Sequence, residues 1–536
     1  SSDTTLKSTG DIDLQATSSG MIRSIAAGMA GGGTAAAAGS NTTNAITSTV
    51  LAQLNAVTMA VDAATVTVRA RDTSTISSFA GTVAGGGTAG GGVAFALNFL
   101  GRTATDADSS KQVKAEVVNS NLHSGGAVLV QALSTATIES MAVAAGAGGN
   151  AAVTGSNTTN LLEDEITATW SGGSLYGSSN ALTVQADDAA TVRTFAGNVS
   201  GAGAAAVGAA IAVNQIGSAV QANLSSMTLH AAAAVVVDAN MDGQIKSVAA
   251  SGAASGGNSV NGSFTTNALS ASVKALAVNV TQVSNGGAFT VSADNDSDVF
   301  SLAGTVSGGG SAAVGAAVAV NEIGGDVTAR MASSAVRAPG QVKVQATTSG
   351  AIESNAAGMS GGGSVAFAGS NTTNALTSTV LAQMDDVNLV VDAASVTVQA
   401  RDTSSIKSFA GTVAGGGTAG GGAALALNFL GRTADDADSS KVVKAEVLNS
   451  IVRATGAVQV NAYSTSVIQS IGVAAGASGT AAITGSNATN LLEDEISAVW
   501  TASNQNSTGT LTVSARQAAD IDSLAGNVSG SMGAAV

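Results

Sequence analysis

A single pattern returns about every fifty-odd residues along this chain, and that period restricts the fold more than any other feature of the sequence. A short V-x-V strand motif begins at Ile12, Val66, Val128, Leu182, Val235, Phe289, Val342, Val396, Val458 and Leu511, in steps of 53 or 54 residues with 62 twice. Ten copies with one spacing describe an array, not a set of independent domains. Each unit of such an array buries its face against the next, which is the logic of a solenoid.

Within each copy the period is two. The stretch Ala80 to Asn98, AGTVAGGGTAGGGVAFALN, climbs by alternate small and apolar residues to a triple glycine and descends to an asparagine. That pattern predicts strands on either side of a tight reversal. Alanine-rich stretches such as Ala204 to Ala212 also suit a helix. The adjoining glycines and the Thr/Val alternation favour strands. The predicted fold is therefore all-β, an elongated β-solenoid of stacked sheets. With strands about 4.8 Å apart and two coils per copy, ten copies would make a rod on the order of 100 Å long.

Two further levels of order lie above the single copy. Odd copies close with G-S-x-x-T-N, as at Gly39 to Asn44, and even copies with N-x-[IL]-G, as at Asn98 to Gly101. Whole groups of six then recur at an offset of 330, which pairs Asn44 with Asn374, Leu161 with Leu491 and Trp170 with Trp500. Residues 1–11 read as the end of a preceding repeat, 12–341 as a first six-repeat block and 342–536 as a truncated second block of one continuous solenoid.

Two columns of polar residues follow from the alignment of copies. Asn44, Asn98, Asn160, Asn214, Asn267, Asn321, Asn374, Asn428 and Asn490 end the second strand of successive copies. Ser24, Ser78, Ser140, Thr194, Ser247, Ser301, Ser354, Ser408, Ser470 and Ser523 supply one hydroxyl per copy. Both columns are expected to form internal structural ladders, each side chain bonding to its neighbour along the axis.

Composition bounds what else the array does. The 67 glycines, single proline and 3% aromatic residues do not describe bulky globular cores, so repeated backbone hydrogen bonds must carry much of the stability. A net charge of −15 opposes nucleic acid and anionic membranes as partners. The absence of cysteine excludes disulfides and thiolate metal sites. No run of apolar residues is long enough to insert as a membrane helix.

No chemistry-bearing constellation emerges, so no catalytic, cofactor-binding or metal residue is assigned and the chain is read as non-enzymatic. His123 and His230 fall in different copies with no recurrent acid beside them. The acidic runs Glu163–Glu165 and Glu493–Glu495 read as solvated turns. Calcium has two footholds: Asp238 to Gly243, with oxygen ligands at alternate positions but Ala249 in place of the closing glutamate, and Asp106, Asp108, Asp435, Asp436 and Asp438 in the longer copies. Asn41, Asn157, Asn371 and Asn487 match a glycosylation sequon, but their place in the G-S-x-x-T-N element explains them structurally. A Thr-rich ice-binding face is also disfavoured, because Thr67, Thr183 and Thr290 occur only in alternate copies.

The succession V-x-V-x-A, I-x-S-x-A-G, a glycine run and A-V-G-A-A-V-A-V-N-x-I-G, as at Phe289 to Gly324, resembles the repeat regions of giant bacterial leukotoxin-like and filamentous haemagglutinin-like surface adhesins. That resemblance implies an exported, very long protein at the bacterial cell surface or in the matrix, with these repeats as its shaft. The expected partner is the protein itself, end to end or side by side. A self-associating matrix or sheath filament is the alternative, and a carbohydrate-binding solenoid a remote one. Host or neighbouring-cell surfaces would be met by other segments.

Overall fold

The computed structural model describes residues 4–102, 111–177, 181–230, 233–432 and 441–536. Every regular element among them is a β-strand, and all strand pairs are parallel. The chain is an all-β parallel solenoid with two long sheets.

One coil shows how the sequence makes the fold. The strand Val235–Ser255 lies in the first sheet with Val235, Val237, Ala239, Met241 and Ile245 directed inward. Its period-two alternation matches the pleat of a strand, which sends neighbouring side chains to opposite faces. Gly256 and Gly257 then reverse the chain. The strand Asn258–Gln282 returns in the second sheet and turns Ser259, Asn261, Ser263, Thr265 and Asn267 inward, followed by Leu269, Val273 and Ala275.

Register shows that each copy is one coil. Val235 pairs with Phe289 of the next copy and Leu182 of the one before, and Asn267 pairs with Asn214 and Asn321. The expectation of two coils per copy is corrected by the length of the strands, 21 and 25 residues in this coil. Each strand is several times longer than the usual five or six residues. Ten coils at about 4.8 Å therefore span about 45 Å along the axis, whereas the strands reach about 70–80 Å across it.

The glycine reversal is a steric requirement. At Gly310 a Cβ would stand 2.0 Å from the carbonyl oxygen of Gly256, and at Gly203 2.0 Å from that of Gly149. Turn backbones stacked one hydrogen bond apart leave no room for a side chain, and the ladder continues through them, with Gly310 N–H donating to Ser255 O at 3.0 Å.

The other end of the coil closes at a second stacked feature that the sequence did not announce. Ala56, Asn119, Gly172, Ser226, Asn279, Ser333, Asp386, Asn449 and Ala502 each take a positive φ, between 45° and 72°. Such a residue bends the strand and shifts its inward parity by one, so Leu224 and Met227 on either side of Ser226 both face the core. Serine hydroxyls complete the corner: Ser334 Oγ accepts from Val280 N–H at 3.1 Å and donates to the Ala332 carbonyl at 2.7 Å.

Each coil therefore has two unlike halves. Near the closing corner a single apolar core runs through all the coils, built from Val, Leu, Ile and Met and including Phe289 and the fully buried Trp170. Toward the glycine reversal the filling shrinks to alanine clusters and hydroxyls, and the sheets close on each other. At Gly358, an inward position of the first sheet, a Cβ would lie 2.7 Å from the Gly369 carbonyl oxygen.

This closeness gives a test. Gly358→Val is expected to force the sheets apart and cost about 1–3 kcal/mol. Gly361→Ala, which meets nothing within 4 Å, should leave the denaturation midpoint unchanged. Equal effects of the two substitutions in urea unfolding would contradict the packing described.

Candidate functional site

The most organised set of polar side chains lies between the two halves of the coil, inside the solenoid. Asn44 Nδ2 donates to Asn98 Oδ1 at 2.8 Å, and the same bond repeats from each asparagine to the next through Asn160, Asn214, Asn267, Asn321, Asn374, Asn428 and Asn490 at 2.7–2.8 Å. Parallel strands in register bring identical amides one coil apart, and a planar amide has one acceptor and two donor hydrogens to use there.

The second amide hydrogen reaches the hydroxyl column. Asn44, Asn98, Asn267, Asn321, Asn428 and Asn490 donate to Ser24, Ser78, Ser247, Ser301, Ser408 and Ser470 of their own coils at 2.8–2.9 Å. Asn160 donates to Thr194, and Asn321 donates also to Ser354. Ser140 is approached by Ser78 at 3.5 Å, and Ser523 by Ser470 at 3.4 Å. No amide between Asn98 and Asn428 is more than 1% exposed. Between Asn98 and Asn428 the column is a buried spine linking the two sheets, with no face on solvent.

Past one buried apolar row, Leu100 and Leu162, sits a cluster that sequence reasoning missed. Lys111 is fully buried, and its Nζ lies 2.9 Å from each of Asp72 Oδ2, Asp164 Oδ2 and Ser134 Oγ. The second block repeats the arrangement. Lys441 Nζ meets Asp402 at 2.9 Å, Asp494 at 3.3 Å, Ser464 at 2.8 Å and Ser466 at 2.7 Å. The offset of 330, shared by Asp72 and Asp402, Lys111 and Lys441, and Asp164 and Asp494, was the available signal.

The acidic runs accordingly lie along strands and not in solvated turns, with Glu493 in the one-residue break between the strands Ala481–Leu492 and Asp494–Thr501. Period-two alternation sends Asp164 inward to Lys111, while Glu163 pairs outside with Arg102 and Glu165 with Lys114. Their middle carboxylate is the most buried of the three.

The first cluster has one carboxylate more than the second. Asp188, 2% exposed, lies one coil beyond Ser134 in the same inward column. Ser218 and Ser134 ease its charge, but neither hydroxyl reaches bonding geometry with it. Its register equivalent in the second block is Gln517, which donates to Asp494 Oδ2 at 3.0 Å. Burial pushes the Asp164 carboxyl up to about 7 against the pull of Lys111. Burial raises Asp188 as well, again opposed by Lys111. Burial works to lower the Lys111 pKa, yet Asp164, Asp188 and Asp72 together hold it above the usual lysine value.

The calcium footholds fare differently. Asp238 to Gly243 lies in the middle of the extended strand Val235–Ser255, so Asp238, Asn240 and Asp242 point outward in a line and cannot curl around an ion. The insertion carboxylates Asp106, Asp108, Asp435, Asp436 and Asp438 lie outside the described residues. Among the described residues no three acidic or histidine side chains are placed to hold a metal ion.

Asp238 and Asp242 instead join Asp187, Asp294, Asp296 and Asp298 on three neighbouring strands of the first sheet. Asp242 and Asp296 are direct register partners. Burial, reinforced by Asp238, pushes Asp187 up to about 6. Burial and like charge raise Asp242, Asp294 and Asp298 too.

The two histidines come together although they lie in different copies. Tyr176 is stacked between His123 and His230, with ring centroids 4.6 and 4.1 Å apart, and His123 Nδ1 lies 3.4 Å from Asp62 Oδ1. No protein-family model, curated protein or solved structure matches the chain.

Two predictions follow from the buried polar groups. Asn267→Asp keeps the shape but removes the donors to Asn321 and Ser247, so about 2–4 kcal/mol of stability should be lost at pH 7. Asn490→Asp, at the half-buried last rung, should cost less, as urea midpoints will show. The second concerns pH. Carboxyls whose folded-state pKa is raised bind more protons folded than unfolded, so their stabilising contribution is full at low pH and is lost as pH rises through the folded value. For Asp187 near 6 and Asp164 near 7, the denaturation midpoint should fall from about pH 4, the ordinary unfolded carboxyl value, to about pH 7 and level off above it. Asp188→Gln should flatten that fall, and an unaltered profile would show that this cluster does not titrate.

Proposed function

We propose that this chain is a non-enzymatic structural repeat region of an extracellular bacterial fibre or giant surface adhesin, acting as a rigid shaft. The observation that carries this reading is the unbroken register. Ten coils stack with one hydrogen-bonding scheme, one amide spine and one stacked reversal. Its most elaborate polar machinery is internal and ties coil to coil. An array of this kind extends by repetition, because each coil offers the next the same parallel edge and the same amide.

Rigidity follows from the same features. Bending the axis would open amide bonds of the spine and backbone bonds of both sheets together, and buried hydrogen bonds are costly to leave unmade. The expected partners are further copies and, through other segments, host or neighbouring-cell surfaces.

Two measurements test the role. Repeating the complete block 12–341 once more in tandem adds six coils in register and should lengthen the particle by about 29 Å at constant width under negative-stain electron microscopy, with and without a calcium chelator. A particle that does not lengthen, or that branches, would exclude a shaft. Antibodies against the purified chain should label intact source cells at or beyond their surface, and labelling only after permeabilisation would overturn the extracellular placement.

A further inference from the structure

The two halves of the coil differ outside as much as inside. Between the hydroxyl column and the asparagine column no copy contains Asp, Glu, Lys or Arg. Every formal charge therefore lies in the apolar-core half or in the connections around it, and the half that closes at the glycine reversal is uncharged throughout.

On the outer face of the first sheet this half is almost wholly apolar. Four outward positions per coil, such as Phe195, Gly197, Val199 and Gly201, carry only glycine or apolar residues, with Asn355 the single exception in ten coils. Val199 is 64% exposed and Val306 58%. A shallow groove of about 490 Å³ runs over Gly197, Ala250, Gly304 and Ala357, bounded by one ridge at Phe195 and another at Val199, Val306 and Met359. Phe195 folds across Gly197, where a Cβ would stand 2.6 Å from the ring, so its ridge lies low.

We propose that this face is the contact surface for a second copy of the chain, uncharged half on uncharged half, with strand directions opposed. Area supports a stable pair. Four outward positions along the strand and ten coils along the axis give about 25 by about 45 Å, or about 1,100 Å² per copy, against about 800 Å² per partner in a standard interface. A second copy brings a surface of the same axial period and the same corrugation, which two sheets need to interdigitate along their whole length.

Charge fixes the orientation. The chain carries −15 overall, all of it outside the patch. Opposed strands send the two charged halves to opposite sides, separated by the full width of the patch and beyond the Debye length of about 8 Å. Like-directed strands would stack one charged half on the other. The outer face of the second sheet is a poorer candidate, because it presents the amides of Asn41, Asn157, Asn371 and Asn487. The inference holds whether or not the array serves as a shaft.

Sedimentation velocity over 1–100 µM tests it. The chain should shift from one to two copies, and Val199→Glu with Val306→Glu should weaken that association at least tenfold without changing the urea midpoint. Because the chain has no cysteine, Val306→Cys should cross-link in pairs with a short bis-maleimide, whereas Thr290→Cys in the charged half should not. A chain that remains single at 100 µM, a double glutamate variant that pairs as before, or cross-linking equal at both sites would overturn the proposal. So would flotation of the single chain with phosphatidylcholine vesicles, which would assign the face to lipid.

Discussion

Everything in this molecule depends on parallel strands meeting their own equivalents at one fixed step. A parallel ladder between successive coils puts like residue beside like, so any side chain admitted at a position must tolerate a near copy of itself about 4.8 Å away. Asparagine does more than tolerate this arrangement, because one amide accepts from the coil before and donates to the coil after. Apolar residues and glycine tolerate it for opposite reasons, one by packing and the other by absence. Charges are harder to admit, and among the described residues the interior holds them in the two lysine clusters, where lysine and aspartate occupy neighbouring rungs, as at Lys111 and Asp164, with Asp188 one coil beyond Ser134.

The same constraint divides the coil. Where Val, Leu, Ile and Met fill the interior the sheets stand apart and burial drives folding, at about 1.5–3 kcal/mol per large side chain. Where alanine, glycine and hydroxyls fill it the sheets approach until backbone nearly meets backbone, as at Gly358 and Gly369. Little apolar area is buried there, so hydrogen bonding and close contact must hold the two layers. The asparagine spine stands at the border, where the inter-sheet space changes and a side chain bonding to both the next coil and the opposite sheet is most useful.

The duplicated block provides an internal comparison. Lysine, two aspartates and a serine recur at an offset of 330, yet Asp188 in one block meets Gln517 in the other. A neutral donor suffices beside Asp494. Burial raises the carboxyls of both Asp188 and Asp164 against the pull of Lys111. Parting Lys111 from Asp164 would leave an uncompensated buried group on each side, which is strongly unfavourable.

The sequence by itself determined the period, the strands, the reversal at the glycines and the membership of both polar columns, because each is a local property repeated until chance is excluded. It also contained the 330-residue offset that relates the buried lysine clusters, but not their meaning, since one Lys111 among polar neighbours has no local mark of burial. Only the tertiary structure decided that a copy is one broad coil and not two narrow ones, because period-two alternation is the same for a strand of six residues or twenty-five. It also decided which face of each strand is inward on both sides of the corner, where Ser226 or Asn279 at positive φ shifts the parity. The placement of Asp238 on a flat strand, of Asp164 beside Lys111 and of Tyr176 between two histidines likewise required the stack. Those neighbours are a coil apart in space and some fifty residues apart in the chain, and no local rule of sequence connects them.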